Sequence, residues 1–182
     1  IQVGCGRTGT FFSFESAGIV PDLVGLSKAL SGYGLPLSLV LIKPEHDVWA
    51  PGEHNGTFRG HNPAFVTAAA ALEHWRGEGL TPAIRAREAQ AVERLRALAA
   101  RHPRLVRDLR GRGLILGLEL ADGLAARVSR ECFRRGLVIE TAGAADQVLK
   151  LLPPLTISEA ELDAGLDIIA AARDTVARAE AA

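Results

Sequence analysis

With 182 residues, 48% hydrophobic and 23% charged, the chain has the make-up of one globular domain, or a domain with an appendage, and not of a disordered segment. Twenty-one basic residues balance 21 acidic ones, so no broad positive field exists to hold nucleic acid or an anionic membrane, and neither is expected as a partner. The longest near-apolar runs, residues 64–72 and 39–42, are far too short to span a bilayer, and two distant cysteines, Cys5 and Cys132, form neither a disulfide framework nor a metal cluster and suit a reducing cytoplasm.

The chain contains no methionine and opens on Ile1-Gln2-Val3-Gly4, which reads as a strand end running into a glycine turn. A piece of a longer chain is expected. Residues 1–62 are rich in glycine and turns. Val24-Gly25-Leu26 and residues 37–42 are continuous apolar runs, which read as strands buried on both faces, as in an α/β sheet. Asn62-Pro63 starts a helix, with asparagine as cap and proline in the first turn, and the alanine-rich stretch runs to about Trp75. Thr81-Pro82 repeats that signal ahead of a helix over 83–101 with Ile84, Ala91, Val92, Leu95, Leu98 and Ala99 at helical spacing.

The last 80 residues carry a different pattern. Arg110-Gly111-Arg112-Gly113 introduces a strand over 114–120, and a helix follows from about Gly123 to Arg135, stopped by Gly136. Residues 137–140 and 148–152 read as two further strands, the second ended by Pro153-Pro154. Ser158-Glu159-Ala160-Glu161 is a capping-box pattern that opens a last helix with Leu162, Leu166 and Ile169 on its apolar face. The expected organisation is a first region over 1–77, a connecting helix over 78–102 and a small α+β domain over 103–182.

Few residues can carry chemistry. Only three of the 21 basic residues are lysines, Lys28, Lys43 and Lys150, and a lysine kept amid so much arginine is a candidate for a task that needs an amine. Lys28 follows an apolar strand in a small-residue turn, where open α/β folds place ligands. Burial there would make its amine a nucleophile, and the competing reading is a solvated lysine at a strand end. Gly56-Thr57-Phe58-Arg59-Gly60, ahead of a helix start, offers a hydroxyl and backbone N–H groups to a phosphate, or is a plain turn with His54 as a loop histidine. Arg7-Thr8-Gly9-Thr10 lacks the spacing of a nucleotide-phosphate loop, and Arg110-Gly111-Arg112-Gly113 reads as a turn with solvated arginines. Lys150, between Leu149 and Leu151, either points to solvent by alternation or faces an anionic ligand.

Taken together these segments resemble a known family. Gln2-Val3-Gly4-Cys5-Gly6-Arg7-Thr8-Gly9, Pro21-Asp22, Leu26-Ser27-Lys28-Ala29-Leu30-Ser31-Gly32, Gly56-Thr57-Phe58-Arg59-Gly60 with Asn62-Pro63, and Pro153-Pro154-Leu155 are similar, in order and spacing, to the class III pyridoxal-phosphate aminotransferases. The resemblance covers essentially the whole chain. It implies an α/β fold: the C-terminal part of a fold-type I pyridoxal-phosphate transferase, with part of the large-domain mixed sheet over 1–77 and a small α+β C-terminal domain. Residues 9–15, 31–36 and 51–60 are most similar to the branch that moves the 4-amino group of L-2,4-diaminobutyrate to 2-oxoglutarate in ectoine synthesis, giving aspartate 4-semialdehyde and glutamate.

The resemblance also implies roles. The cofactor is pyridoxal 5'-phosphate, with no metal, and the partners are an amino donor, a 2-oxo acid and a second copy of the chain in a cytoplasmic homodimer or higher homo-oligomer. Lys28 bonds covalently to the cofactor and shuttles the proton. Gln2 contacts the cofactor's phenolic oxygen, and Thr57 holds the phosphate across a dimer interface. Lys150 falls where many relatives use an arginine to grip a substrate carboxylate. Lysine keeps that charge but loses the bidentate fork. The aspartate that keeps the cofactor's pyridine nitrogen protonated, the glycine-rich phosphate loop and the stacking aromatic are expected ahead of Ile1, so the 182 residues alone are expected to have little or no activity. Other ω-aminotransferase or aminomutase activities on the same fold, and an inactive remnant, are the alternatives.

Overall fold

Glycine punctuation leaves the first part of the chain with short elements. In the computed structural model, which describes residues 1–57, 59–121 and 123–181, β1 (Leu23–Leu26) pairs antiparallel with β2 (Leu39–Ile42), in register from Leu23 opposite Ile42 to Leu26 opposite Leu39. Helix α1 (Asn62–Glu73) follows. The continuous apolar runs thus form strands, but not strands buried on both faces. Leu26 is buried, whereas Leu23, Leu39, Val40 and Leu41 are exposed. The reason is cover: the small core of this region is Cys5, Leu26 and Leu30, flanked by Phe11, Phe12, Val24 and Leu37, and it reaches one end of the strand pair.

Helix α1 begins one residue earlier than its expected cap allows. Asn62 is its first residue, His61 holds the cap position without a side-chain bond, and Pro63 sits in the first turn. Proline is tolerated there because the first N–H groups of a helix have no partner inside it. Past the end of α1, the Trp75 ring lies against the backbone of Gly6, where a Cβ would come within 1.9 Å of it, and edge-on to Phe11 at 5.6 Å. That approach closes the N-terminal loop over the helix end.

The chain divides into two compact units, Ile1–Thr81 and Pro82–Ala182. Helix α2 (Thr81–Arg101), expected as a connector, packs into the second unit: Ala91, Leu95 and Leu98 join its core, and Arg94 bonds Asp163 at 2.7 Å and also Asp167.

A four-stranded antiparallel sheet organises the second unit, in the order β3 (Val106–Arg112), β4 (Ile115–Leu120), β6 (Val148–Leu151), β5 (Glu140–Ala142). Two expectations change here. Arg110-Gly111-Arg112 is the end of a strand and not a turn. Arg110 pairs with Asp108 of its own strand at 2.8 Å and with Glu119 across the ladder on β4 at 2.5 Å, so the charge that resembles part of a solvated turn is held on an edge strand. Residues 137–139 precede β5 instead of forming it. Leu137 and Ile139 pack on the core, and ladder pairing starts at Glu140.

Period-two alternation along β4 buries Leu116, Leu118 and Leu120 on one face. Helix α3 (Leu124–Arg134) adds Leu124, Ala125, Val128 and Cys132, and α4 (Glu159–Ala181) adds Leu162, Leu166, Ile169, Ala172 and Val176. Each buried leucine contributes about 1.5–3 kcal/mol by leaving water. The capping box of α4 is formed in both directions: the Ser158 hydroxyl accepts the Glu161 N–H at 3.2 Å, and the Glu161 carboxylate accepts the Ser158 N–H at 2.9 Å. The Ser158 hydroxyl also donates to the Glu161 carboxylate at 2.6 Å, and this bond, followed by the one from the Ser158 N–H, holds the Glu161 carboxyl below its ordinary range. Among the described residues, no helix is long and apolar enough to cross a membrane.

Candidate active site

The site begins where β1 stops. Ser27 continues the extended backbone, and Lys28 turns it: its φ is +53°, in the left-handed region that β-carbon sterics disfavour. A lysine there costs about 1–2 kcal/mol relative to an ordinary conformation. A 3₁₀ turn over Lys28–Ser31 follows, with Leu30 buried in the small core. The Lys28 side chain is exposed within the described residues.

Three contacts hold the strained turn. The Ser27 hydroxyl donates to the Leu37 carbonyl at 2.8 Å, closing the connection between β1 and β2. The Leu30 N–H donates to the Ser27 carbonyl at 3.2 Å. Gly32, at φ +75°, lets the turn press on α1: a Cβ there would sit 2.6 Å from the Ala71 methyl and 3.3 Å from the Thr67 carbonyl. Only glycine meets both the conformation and the approach.

Gln2 lies in the loop that covers this end of β1. The Thr8 hydroxyl donates to the Val3 carbonyl at 3.3 Å, and a Cβ on Gly4 would lie 3.8 Å from a Leu26 methyl. The fold therefore brings the Gln2 loop and the Lys28 turn to the same end of the strand, and the Gln2 side chain is exposed. Cys5 beside them is buried, which pushes its thiol up and away from reactivity.

Thr57 is exposed in a separate turn ahead of α1, in which the Arg59 N–H donates to the Gly56 carbonyl at 3.0 Å and the Arg59 guanidinium to the His54 carbonyl. Phe58, the centre of that motif, lies outside the described residues. His54 stacks on Trp49 at 5.5 Å. Lys150 belongs to the second unit. Register places Arg110, Gly117, Lys150 and Glu140 in one row across all four strands. Lys150, 20% exposed, pairs with Glu140 at 2.9 Å, so the outer face of the sheet already supplies it with an anion.

Sequence reasoning missed two features. One is Ser27, whose bond partner lies ten residues away and leaves no local pattern. The other is Arg173, only 3% exposed in α4, whose Nε and Nη1 have no partner among the described residues while Nη2 meets Asp174 at 2.9 Å. Asp22, Glu45 and His46 also approach one another, but all three are exposed and the Asp22 carboxylate accepts a 2.6 Å bond from Lys43, which holds its carboxyl low.

The description that matches the chain is the class-III aminotransferase model, which covers residues 1–172. The chain belongs to that family. Diaminobutyrate–2-oxoglutarate transaminases of Nocardia farcinica and Vibrio cholerae are 56% and 58% identical to it, over 97% and 93% of its length. The chain spans about 40% of those relatives. Among solved structures, an ornithine δ-aminotransferase of Plasmodium falciparum superposes with a TM-score of 0.85 at 29% identity, over 96% of this chain and 44% of that one. An N-acetylornithine aminotransferase of Stenotrophomonas maltophilia gives 0.83 at 30% identity, over 98% and 46%. The fold is therefore part of the fold-type I architecture, and the family depends on pyridoxal 5'-phosphate.

The donors in the first unit fit that cofactor chemically. An exposed primary amine suits its aldehyde, an exposed carboxamide suits its phenolic oxygen, and a hydroxyl in a turn ahead of a helix suits its phosphate.

Proposed function

We propose that this chain is the part of a homodimeric, cytoplasmic ω-aminotransferase that carries the cofactor-binding lysine, and that the enzyme exchanges the 4-amino group of L-2,4-diaminobutyrate with 2-oxoglutarate in the ectoine pathway. The observation that carries the reading is the placement of Lys28. It is a free-standing amine on a backbone held out of its ordinary conformation, in a chain more than half identical to transaminases of that name.

When bound, pyridoxal 5'-phosphate supplies an electron sink for the carbon that loses its proton. The chain's own residues supply the amine and some of the contacts. Lys28 would hold the cofactor covalently through its amine, and that amine would serve as the base and acid that moves the substrate proton. Gln2 donates its amide N–H to the cofactor's phenolic oxygen. Thr57 donates its hydroxyl to the phosphate held by the partner subunit, which couples cofactor affinity to dimerisation. Lys150 attracts a substrate carboxylate as a point charge, in competition with Glu140. In this reading 1–77 belongs to the large, cofactor-binding domain and 103–182 to the small one, and the isolated 182 residues are inactive.

Glutamate formation by the full-length enzyme, offered 2-oxoglutarate with 2,4-diaminobutyrate, ornithine, N-acetylornithine or 4-aminobutyrate in turn, tests the substrate. Highest kcat/KM on diaminobutyrate supports the assignment. Preference for ornithine or its acetyl derivative would place the enzyme with the solved structures that share the fold.

A further inference from the structure

We propose that Ser27 is a positioning residue for the lysine chemistry: its hydroxyl, bonded to the Leu37 carbonyl, holds Lys28 in its left-handed conformation and so aims the amine. This rests on the reading of Lys28 as the cofactor-binding lysine.

β1 and β2 pair as far as Leu26 opposite Leu39, and no ladder bond constrains the chain beyond that point. The Ser27 to Leu37 bond, at 2.8 Å, is the next tie, one residue before Lys28. Downstream, the turn is fixed by buried Leu30 and by Gly32 pressed on Thr67 and Ala71. Lys28 therefore sits between two anchors, at φ +53°. Its strain persists only while both anchors hold. The downstream anchor is apolar packing and the upstream one is a single hydroxyl. Removing that hydroxyl lets Ser27 and Lys28 relax together toward ordinary φ values, which swings the Lys28 Cβ and with it the amine. The segment is short and half-buried, so the fold can survive the loss.

The test compares Ser27→Ala and Ser27→Thr with wild type in the full-length enzyme. Threonine keeps the hydroxyl and accepts extended backbone, which Ser27 has at φ −167°. Two quantities are read. One is the rate at which the cofactor-free enzyme is labelled on Lys28 by pyridoxal without its phosphate in the presence of borohydride, followed by peptide mass spectrometry. The other is the kcat and KM of the loaded enzyme. Loss of one positioning hydrogen bond predicts about a tenfold fall in labelling rate and in kcat, with KM within about twofold of wild type. Ser27→Thr should restore both.

A normal labelling rate in Ser27→Ala overturns the proposal. So does a Ser27→Thr variant no better than Ser27→Ala, or a loss that merely tracks the folded fraction measured by thermal unfolding. Lys28→Ala, run in parallel, separates the two levels. If it still turns over, the reading of Lys28 fails and this inference falls with it. If it is dead while Ser27→Ala behaves as wild type, only the role of Ser27 is lost.

Discussion

Among the described residues, the second unit buries eighteen side chains in one continuous core, whereas the cluster of the first, around the end of β1, has three. The surface tells the same difference in reverse. Of the large apolar side chains that are exposed among the described residues, all but Phe133 and Val138 belong to the first unit. One unit has a closed core with capped helices and paired charges; the other has apolar strands with cover on part of one face. The proposed cofactor residues Gln2, Lys28 and Thr57 all lie in the open unit, and Lys150 lies on the outer face of the closed one. Within these 182 residues, which span about 40% of the relatives' length, the larger core and the proposed cofactor residues thus lie in different units.

The sharpest way to break that comparison is to separate the units. Residues 82–182 expressed alone should unfold cooperatively in urea and keep a near-ultraviolet circular dichroism signal. Residues 1–81 alone should show no cooperative transition and should associate through their exposed strands. A cooperative, monomeric 1–81 would erase the distinction.

Single substitutions refine it. Leu118, fully buried at the centre of the sheet, should cost about 2–5 kcal/mol as Leu118→Ala. Leu41→Ala in β2, already exposed, should cost less than about 1 kcal/mol in the 182-residue chain. Equal losses in urea denaturation would mean that the first unit has a core of its own after all.

Arg173 is the weak point inside the strong unit. A buried guanidinium with two unpartnered nitrogens loses hydration it does not recover, so Arg173→Met should stabilise residues 82–182 by about 1 kcal/mol or more. It should also move His102, whose pKa is lowered first by burial and then by the charge of Arg173. Between the depressed folded value and the unfolded value of about 6.5 the unfolded chain binds more protons, so stability is lost as pH falls through that window. In Arg173→Met the folded His102 pKa should rise, so the loss should level off at a higher pH and be smaller, which a nuclear magnetic resonance titration of the His102 ring can follow. A destabilised Arg173→Met would show that the guanidinium has a partner this account lacks.

The smallest effect concerns the outer face of the sheet. Glu140→Gln removes the anion beside Lys150. If Lys150 attracts a substrate carboxylate, KM for 2-oxoglutarate in the full-length enzyme should fall by up to about fivefold, the worth of one partly exposed ion pair. An unchanged KM would leave Lys150 as a structural cross-strand partner.

Much of the closed unit was legible because burial there follows simple periods. Leu116, Leu118 and Leu120 alternate, Leu162, Leu166 and Ile169 recur at helical spacing, and Ser158 with Glu161 marks a helix start. β3 was not legible. Its Arg110 is held by Asp108 on the same strand and by Glu119 on β4, and the second of these cannot be seen from one strand. In the open unit the lysine could be found from its neighbours in sequence, but its conformation could not. The left-handed turn at Lys28 depends on Leu37 and on the approach of Gly32 to Ala71, contacts between residues 10 to 39 positions apart. Lys28 is exposed because the described residues cover only one end of the apolar strand it follows.

The central claim is that Lys28 is the residue on which the chemistry turns. Borohydride reduction of the purified full-length enzyme, followed by peptide mass spectrometry, tests it most directly. The account predicts a pyridoxyl adduct on Lys28, its absence from Lys28→Ala, and turnover in that variant lower by several orders of magnitude because nucleophile and proton carrier vanish together. An adduct on another lysine, or near-normal turnover without Lys28, would contradict it.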